Sequence, residues 1–203
     1  GMSLVVYTDR GLMTKEIVFP EGRKFNAGKV ARFSVDMAGV PLKTTDVFIP
    51  VTDASTLREG DKVLIVNADG TYALGAQSTS GNPHREQAAV TVSEGQIADP
   101  GEATVLTVSP GTVSGTWAFH TGTGYLSANA SNNILKEASS QSDYTDWSVS
   151  ISNKKTTLLA GEGASRYLRY NASNARFSCY ASATSQKDIV LYRLVSYENS
   201  RGP

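Results

Sequence analysis

Apolar and polar residues alternate along most of this chain, and the alternation has a period of two. Residues 30–37 set Ala31, Phe33, Val35 and Met37 on one side and Arg32, Ser34 and Asp36 on the other. Trp147, Val149 and Ile151 alternate in the same way with Ser148, Ser150 and Ser152. Such a pattern predicts strands with one buried face. Shorter β-rich runs at 4–7 and 16–19 come earlier, with breaks at Pro20-Glu21-Gly22 and across 26–29. No stretch carries a helical period of useful length.

The pattern also repeats. Tyr125-Leu126-Ser127-Ala128-Asn129-Ala130-Ser131-Asn132 returns as Tyr167-Leu168-Arg169-Tyr170-Asn171-Ala172-Ser173-Asn174, an offset of 42 positions. The same offset carries Trp117 onto Leu159, Leu135 onto Phe177, Asp146 onto Asp188, Trp147 onto Ile189 and Val149 onto Leu191. A third copy lies upstream, where the stretch from Leu64 to Tyr72 overlays that from Trp117 to Tyr125, with Asp69-Gly70 as a tight turn. This copy is longer, and its polar segment 78–87 reads as a loop insertion. Each copy then predicts four strands: 62–67, 72–76, 88–93 and 104–109; 116–120, 125–129, 134–138 and 146–152; 156–160, 167–171, 177–181 and 188–195. Tandem copies of one small unit imply that the units bury a shared core together.

Three copies of a four-strand unit resemble a β-trefoil, a six-stranded barrel capped by three hairpins, and the resemblance covers residues 47–195. Closing a barrel removes the exposed edges that so many short strands would leave. The resemblance implies that Trp117, Trp147, Leu159, Tyr72, Tyr125 and Tyr167 belong to barrel and cap core. The Gln-x-Trp signature of ricin-type lectin trefoils is absent, with Asp146-Trp147-Ser148 and Asp188-Ile189-Val190 standing in its place. A second resemblance lies in texture. Tyr-Leu-x-x-Asn-Ala-Ser, Arg166 to Asn171, Phe177-Ser178-Cys179-Tyr180 and Asp188 to Tyr192 look like C-terminal modules of secreted Bacteroidetes surface proteins of fimbrillin-like or adhesin type. That likeness implies an exported lipoprotein or adhesin, held at the cell surface or outer membrane, whose trefoil is a binding module.

Length and composition fit this picture. A chain of 203 residues suits one domain with a smaller appendage. Residues 1–45 read as an N-terminal β segment that would suit the end of an upstream sandwich, and 46–203 as the trefoil-like domain, with 39–46 as linker. Gly1 ahead of Met2 reads as a cloning remnant that replaces a natural leader. Formal net charge is zero, and no basic cluster stands ready to neutralise phosphates, which argues against nucleic acid as partner. No apolar run approaches the length of a spanning helix. The single cysteine, Cys179, excludes an internal disulfide and reads as a small buried strand residue.

Candidate chemistry is sparse. The two histidines, His84 and His120, form no metal-ligand spacing, so neither metal nor cofactor is expected. There is no Gly-x-Ser-x-Gly elbow, and Glu102, Glu137 and Glu162 cannot be paired across a cleft from sequence alone. A hydrolase would need a cleft holding His120 or two carboxylates. Binding is the stronger expectation. Tyr170 and Tyr180 replace Ala128 and Ala138 of the preceding copy, and Arg169 replaces Ser127. Departures from the repeated pattern are not required by a symmetric core, so these three are the candidate ligand-binding residues, with sugars or other surface proteins as partners. The expected function is a non-catalytic surface binding or adhesion module, with carbohydrate as the candidate ligand. A structural docking module of a larger surface assembly is the alternative.

Overall fold

The structure is a computed structural model that describes residues 2–8, 11–18, 34–36, 38, 42–43, 46–78, 80–161 and 164–196. These fall into two units, one made of the described residues up to Asp46 together with Ser196, the other of Val47–Val195.

The first unit holds β1 (Met2–Thr8), β2 (Gly11–Ile17) and β3 (Leu42–Lys43). β1 runs antiparallel to β2 with Met2 opposite Ile17, and β3 adds to the far edge of β2 with Met13 opposite Leu42. The segment 39–46, expected as linker, therefore supplies a strand: its apolar Leu42 continues the ladder. Of the strand expected at 30–37, residues 34–36 carry no strand, and 30–33 and 37 lie outside the described residues.

The second unit opens with β4 (Asp46–Pro50) and then runs through twelve strands. They are β5 (Lys62–Asn67), β6 (Tyr72–Ser78), β7 (His84–Ala89) and β8 (Leu106–Pro110). Next come β9 (Trp117–His120), β10 (Tyr125–Ser127), β11 (Lys136–Ala138) and β12 (Trp147–Ser152). The last are β13 (Lys155–Ala160), β14 (Tyr167–Asn171), β15 (Arg176–Tyr180) and β16 (Ile189–Ser196). Six of them close on themselves by antiparallel pairing. Val63 faces Leu106 between β5 and β8, Val108 faces Phe119 between β8 and β9, and Trp117 faces Trp147 between β9 and β12. Val149 faces Leu158 between β12 and β13, Thr156 faces Ile189 between β13 and β16, and Leu191 faces Ile65 to return to β5. The other six form three hairpins, β6–β7, β10–β11 and β14–β15. A closed six-strand ring with three hairpins is the β-trefoil arrangement, and the described residues of the unit are all-β apart from two single 3₁₀ turns.

The ring encloses the main core, in which Ile65, Phe119, Leu126, Leu135, Trp147, Phe177 and Leu191 are at most 1 % exposed. The residue pairs at the repeated offset meet here, Leu126 with Leu168, Leu135 with Phe177 and Trp147 with Ile189. Three of the large residues expected in the core are not in it. Leu159, Tyr125 and Tyr167 are only half-buried, because Leu158, Leu126 and Leu168 beside them take the inward position. Trp117 and Tyr72 pack against the cluster from its margin.

The first copy's surplus falls only partly where expected. The hairpin β6–β7 (72–89) is four residues longer than β10–β11 (125–138) and β14–β15 (167–180), within the expected 78–87, and eight more lie between β7 and β8, at 90–105 against 139–146 and 181–188 in the other copies. Polar residues at 84–87 masked the strand, since His84 and Arg85 are buried. The segment 90–105 builds a second apolar cluster in which Ile97 and Ala103 meet Phe48, Leu64, Val66 and Tyr192. β5 is thus buried on both faces, Val63 and Ile65 toward one cluster and Leu64 and Val66 toward the other. That explains its unbroken apolar run.

Candidate functional site

The three residues singled out from the repeat are brought close in sequence register but are turned inward. Arg169, Tyr170 and Tyr180 are 5 %, 4 % and 6 % exposed. Tyr170 belongs to the main core, stacks on Tyr72 at 6.0 Å and donates its hydroxyl to Gln87 Oε1 at 2.5 Å. Burial, reinforced by Tyr72 and Asp69, raises the pKa of that hydroxyl. The Tyr180 hydroxyl accepts from Asn171 Nδ2 at 2.9 Å. Arg169 Nη2 donates to the Gln186 carbonyl at 2.8 Å and pairs with Asp188 at 2.6 Å. The expectation that these aromatics are exposed is corrected: with no ring face open, none can stack on a sugar. Of these departures, Tyr170 reaches Tyr72 and Gln87 of the β6–β7 hairpin, Tyr180 bonds Asn171 within its own hairpin, and Arg169 ties β14 to the segment before β16.

His120 sits at the end of β9, half-buried, edge-on to Tyr125 at 4.9 Å, with Nδ1 accepting from the Gly122 amide. Cys179 is fully buried and its thiol is pushed up by loss of solvent, in line with a structural role.

An open cleft of about 490 Å³ lies on the outside of the barrel, where β9, β12 and β13 meet. Three loops wall it. The turn 111–116 closes on itself through Gly111 N to Thr116 O (3.0 Å) and Thr116 N to Val113 O (3.1 Å). Asp146, 1 % exposed, clamps that turn from beneath: Oδ1 accepts from Thr112 N at 2.9 Å, and Oδ2 from Thr112 Oγ1 at 2.5 Å and Val113 N at 3.1 Å. The turn 142–145 is tied by Thr145 N to Ser142 O (2.8 Å) and Ser142 N to Thr145 Oγ1 (2.8 Å), and it presents Asp143 exposed at the rim. The third wall follows β13, where Gly161 N donates to Asp146 O at 2.7 Å and Gly161 O accepts from Ala164 N and Ser165 N at 2.9 Å each.

The lining mixes two chemistries. Ser114, Thr116, Ser148, Ser165, Asp143 and Asp146 offer hydroxyls and carboxylates, while Leu159, Ala160 and Val113 offer carbon. Leu159 breaks its own strand's pattern. The outward stripe of β13 reads Lys155, Thr157, Leu159, and the facing stripe of β12 is all serine, with Ser148 opposite Leu159. An apolar side chain thus stands on a hydroxylated face, at the cleft. Among the described residues of this unit, the exposed large apolar side chains are Val113 (55 %) and Tyr144 (41 %). The first lines the cleft and the second follows Asp143. The glycine-rich stretch 111–115 carries no ligand signature in the sequence. Leu159 among polar neighbours was the available signal.

No protein-family model and no curated protein matches the sequence. Solved structures do. The Polyporus squamosus lectin bound to a human-type influenza-binding epitope aligns over 67 % of this chain with a TM-score of 0.51 and 11 % identity, and the chain spans half of that lectin's length. SeviL bound to asialo-GM1 saccharide aligns over 66 % of this chain and 97 % of its own, at TM-score 0.47 and 15 % identity. The lysenin pore aligns over 68 % of this chain and 50 % of its own, at 0.46 and 11 %. At 11 % identity, what this chain shares with the Polyporus lectin is its fold. Among the described residues no helix is long and apolar enough to cross a membrane.

Proposed function

We propose that this protein is a non-catalytic glycan-binding module, exported and displayed at a cell surface, and that its ligand occupies the cleft over Leu159. The observation that carries this reading is the apolar Leu159 set among hydroxyls and a carboxylate in an open, pre-formed hollow. Sugar rings ask for that mixture, a carbon face to rest on and donors and acceptors around the edge. The shared fold with a lectin solved with its bound epitope supports it. Cell-surface placement rests on the texture of the Tyr-Leu-x-x-Asn-Ala-Ser copies alone.

The cleft also holds two carboxylates, the feature a hydrolase would require. Asp146 has both oxygens engaged in holding the turn at 112–113, so it acts as a wall post. His120 is not among the residues that line the cleft.

The test is a glycan array with the native protein and a Ser148→Trp variant. Ser148 is exposed on β12, a strand position that tolerates an aromatic residue. Tryptophan there fills the hollow and leaves the core untouched. Binding should fall at least about tenfold with an unchanged melting temperature and with no glycan cleaved. Full binding by the variant would place the ligand elsewhere.

A further inference from the structure

The cleft is built from carboxylates without counter-charges. Among the described residues, its lining contains Asp143 and Asp146 and no Lys, Arg or His. The ion pairs found among the described residues, His84–Glu86, Arg85–Glu137, Lys155–Asp188, Arg169–Asp188 and Arg193–Asp61, include neither aspartate. Arg166, next in sequence to Ser165 of the lining, is bonded to residues outside it: Nε donates to the Ala130 carbonyl at 3.0 Å and Nη1 to Asn133 Oδ1 at 3.1 Å. The paired lysines Lys154 and Lys155 stand at the opposite end of the β12–β13 ladder, where Ser152 faces Lys155 while Trp147 faces Ala160. Five residues of extended chain separate those rungs, about 17 Å, and that is roughly twice the screening length of about 8 Å at physiological salt.

From these observations we infer that the cleft selects uncharged glycans and rejects anionic ones, whether sialylated, uronic or sulfated. The inference rests on the glycan reading above and adds a ligand class to it. An uncharged sugar meets acceptors for its hydroxyl protons in Asp143 and the serines, and carbon in Leu159. An anionic sugar brings its charge into a hollow already holding two, with no donor cation to offset them. The repulsion sets the preference, since the hydroxyl and carbon contacts are available to both kinds of sugar.

The experiment uses an array of matched glycans, each with and without one terminal sialic acid, uronic carboxylate or sulfate. It is read with the native protein and with Asp143→Asn, at physiological and at roughly 1 M ionic strength, where screening shortens to about 3 Å. In each pair that binds, the uncharged member should bind the native protein at least about tenfold more tightly, equivalent to about 1.4 kcal/mol. The gap should narrow both in Asp143→Asn and in high salt. Equal or tighter binding of the anionic members by the native protein overturns the charge selection and leaves the glycan reading standing. Capture of no glycan at all overturns both.

Discussion

At Gly161 the cleft depends on a side chain that is only a hydrogen. A Cβ there would lie 2.7 Å from the Asp143 carbonyl oxygen, which is backbone and cannot swing aside, and 3.4 Å from the Asp146 Cβ. Gly111 is placed alike, with a Cβ falling 2.2 Å from Thr116 Oγ1 and 2.7 Å from Asp146 Oδ1. Both glycines are where they are because two loops and one buried carboxylate converge on them. Gly161→Ala should therefore cost about 1–3 kcal/mol through overpacking, read in a urea melt, and weaken ligand capture with it. An alanine accepted without loss would mean that the 142–145 turn is not held against β13. Close approach of this kind is not written in a sequence. A glycine required by a neighbouring loop and a glycine required by a turn look the same.

Among elements, the cap hairpins show what a repeat can and cannot predict. Phe177 on β15 is fully buried and pairs by offset with the equally buried Leu135, whereas Tyr167 at the start of β14 is half-buried outside both clusters. Phe177→Ala should cost about 3–5 kcal/mol and Tyr167→Ala only about 1 kcal/mol, measured as the shift in denaturation midpoint. Equal costs would contradict the inward register assigned to Leu168 and its neighbours. Strand positions such as 125–127, 147–152 and 167–171 were legible because apolar residues recur there at a fixed offset. β7 was not, because Arg85 takes an inward place that an apolar residue would ordinarily fill. Its guanidinium is satisfied by Gly75 O at 2.8 Å, Thr104 Oγ1 at 2.7 Å and Glu137 at 2.7 Å. A buried charge with that many partners leaves no apolar alternation to read. The candidate residues Arg169, Tyr170 and Tyr180 were misplaced for a related reason. Departure from symmetry signals only that the copies differ, and here they differ in how their caps interlock.

Across the whole molecule, the ion pairs of Glu137, between the first and second copies, and of Asp188, within the third, set the response to acid. Burial alone would raise the Glu137 pKa, but hydrogen bonds from Thr121, Thr123 and Arg85 outweigh it and leave the carboxyl below its ordinary 4.5. Asp188 is held below 3.8 chiefly by Lys155, against some desolvation and with help from Arg169. Both folded values are depressed, so their contribution to stability is complete above the ordinary values and drains away as pH falls through and below them. Urea midpoints should hold steady down to about pH 5 and then drop. Asp188→Asn, less stable at neutral pH, should lose less on acidification. A midpoint rising in acid would contradict the pairing. These pairs join residues far apart in sequence, which is why no local pattern announced them, while closure of the ring could be read from copy number alone.

The proposed ligand position is over Leu159, between Asp143 and Ser165, and not against the inward-facing tyrosines. Titrating isotope-labelled protein with a glycan it captures, and following the backbone amide resonances, tests this directly. The largest shifts are expected in 113–116, 143–148 and at Leu159, Ala160 and Ser165, with Arg169, Tyr170 and Tyr180 near their free positions. Shifts centred on those three residues, with the cleft amides unmoved, would contradict it.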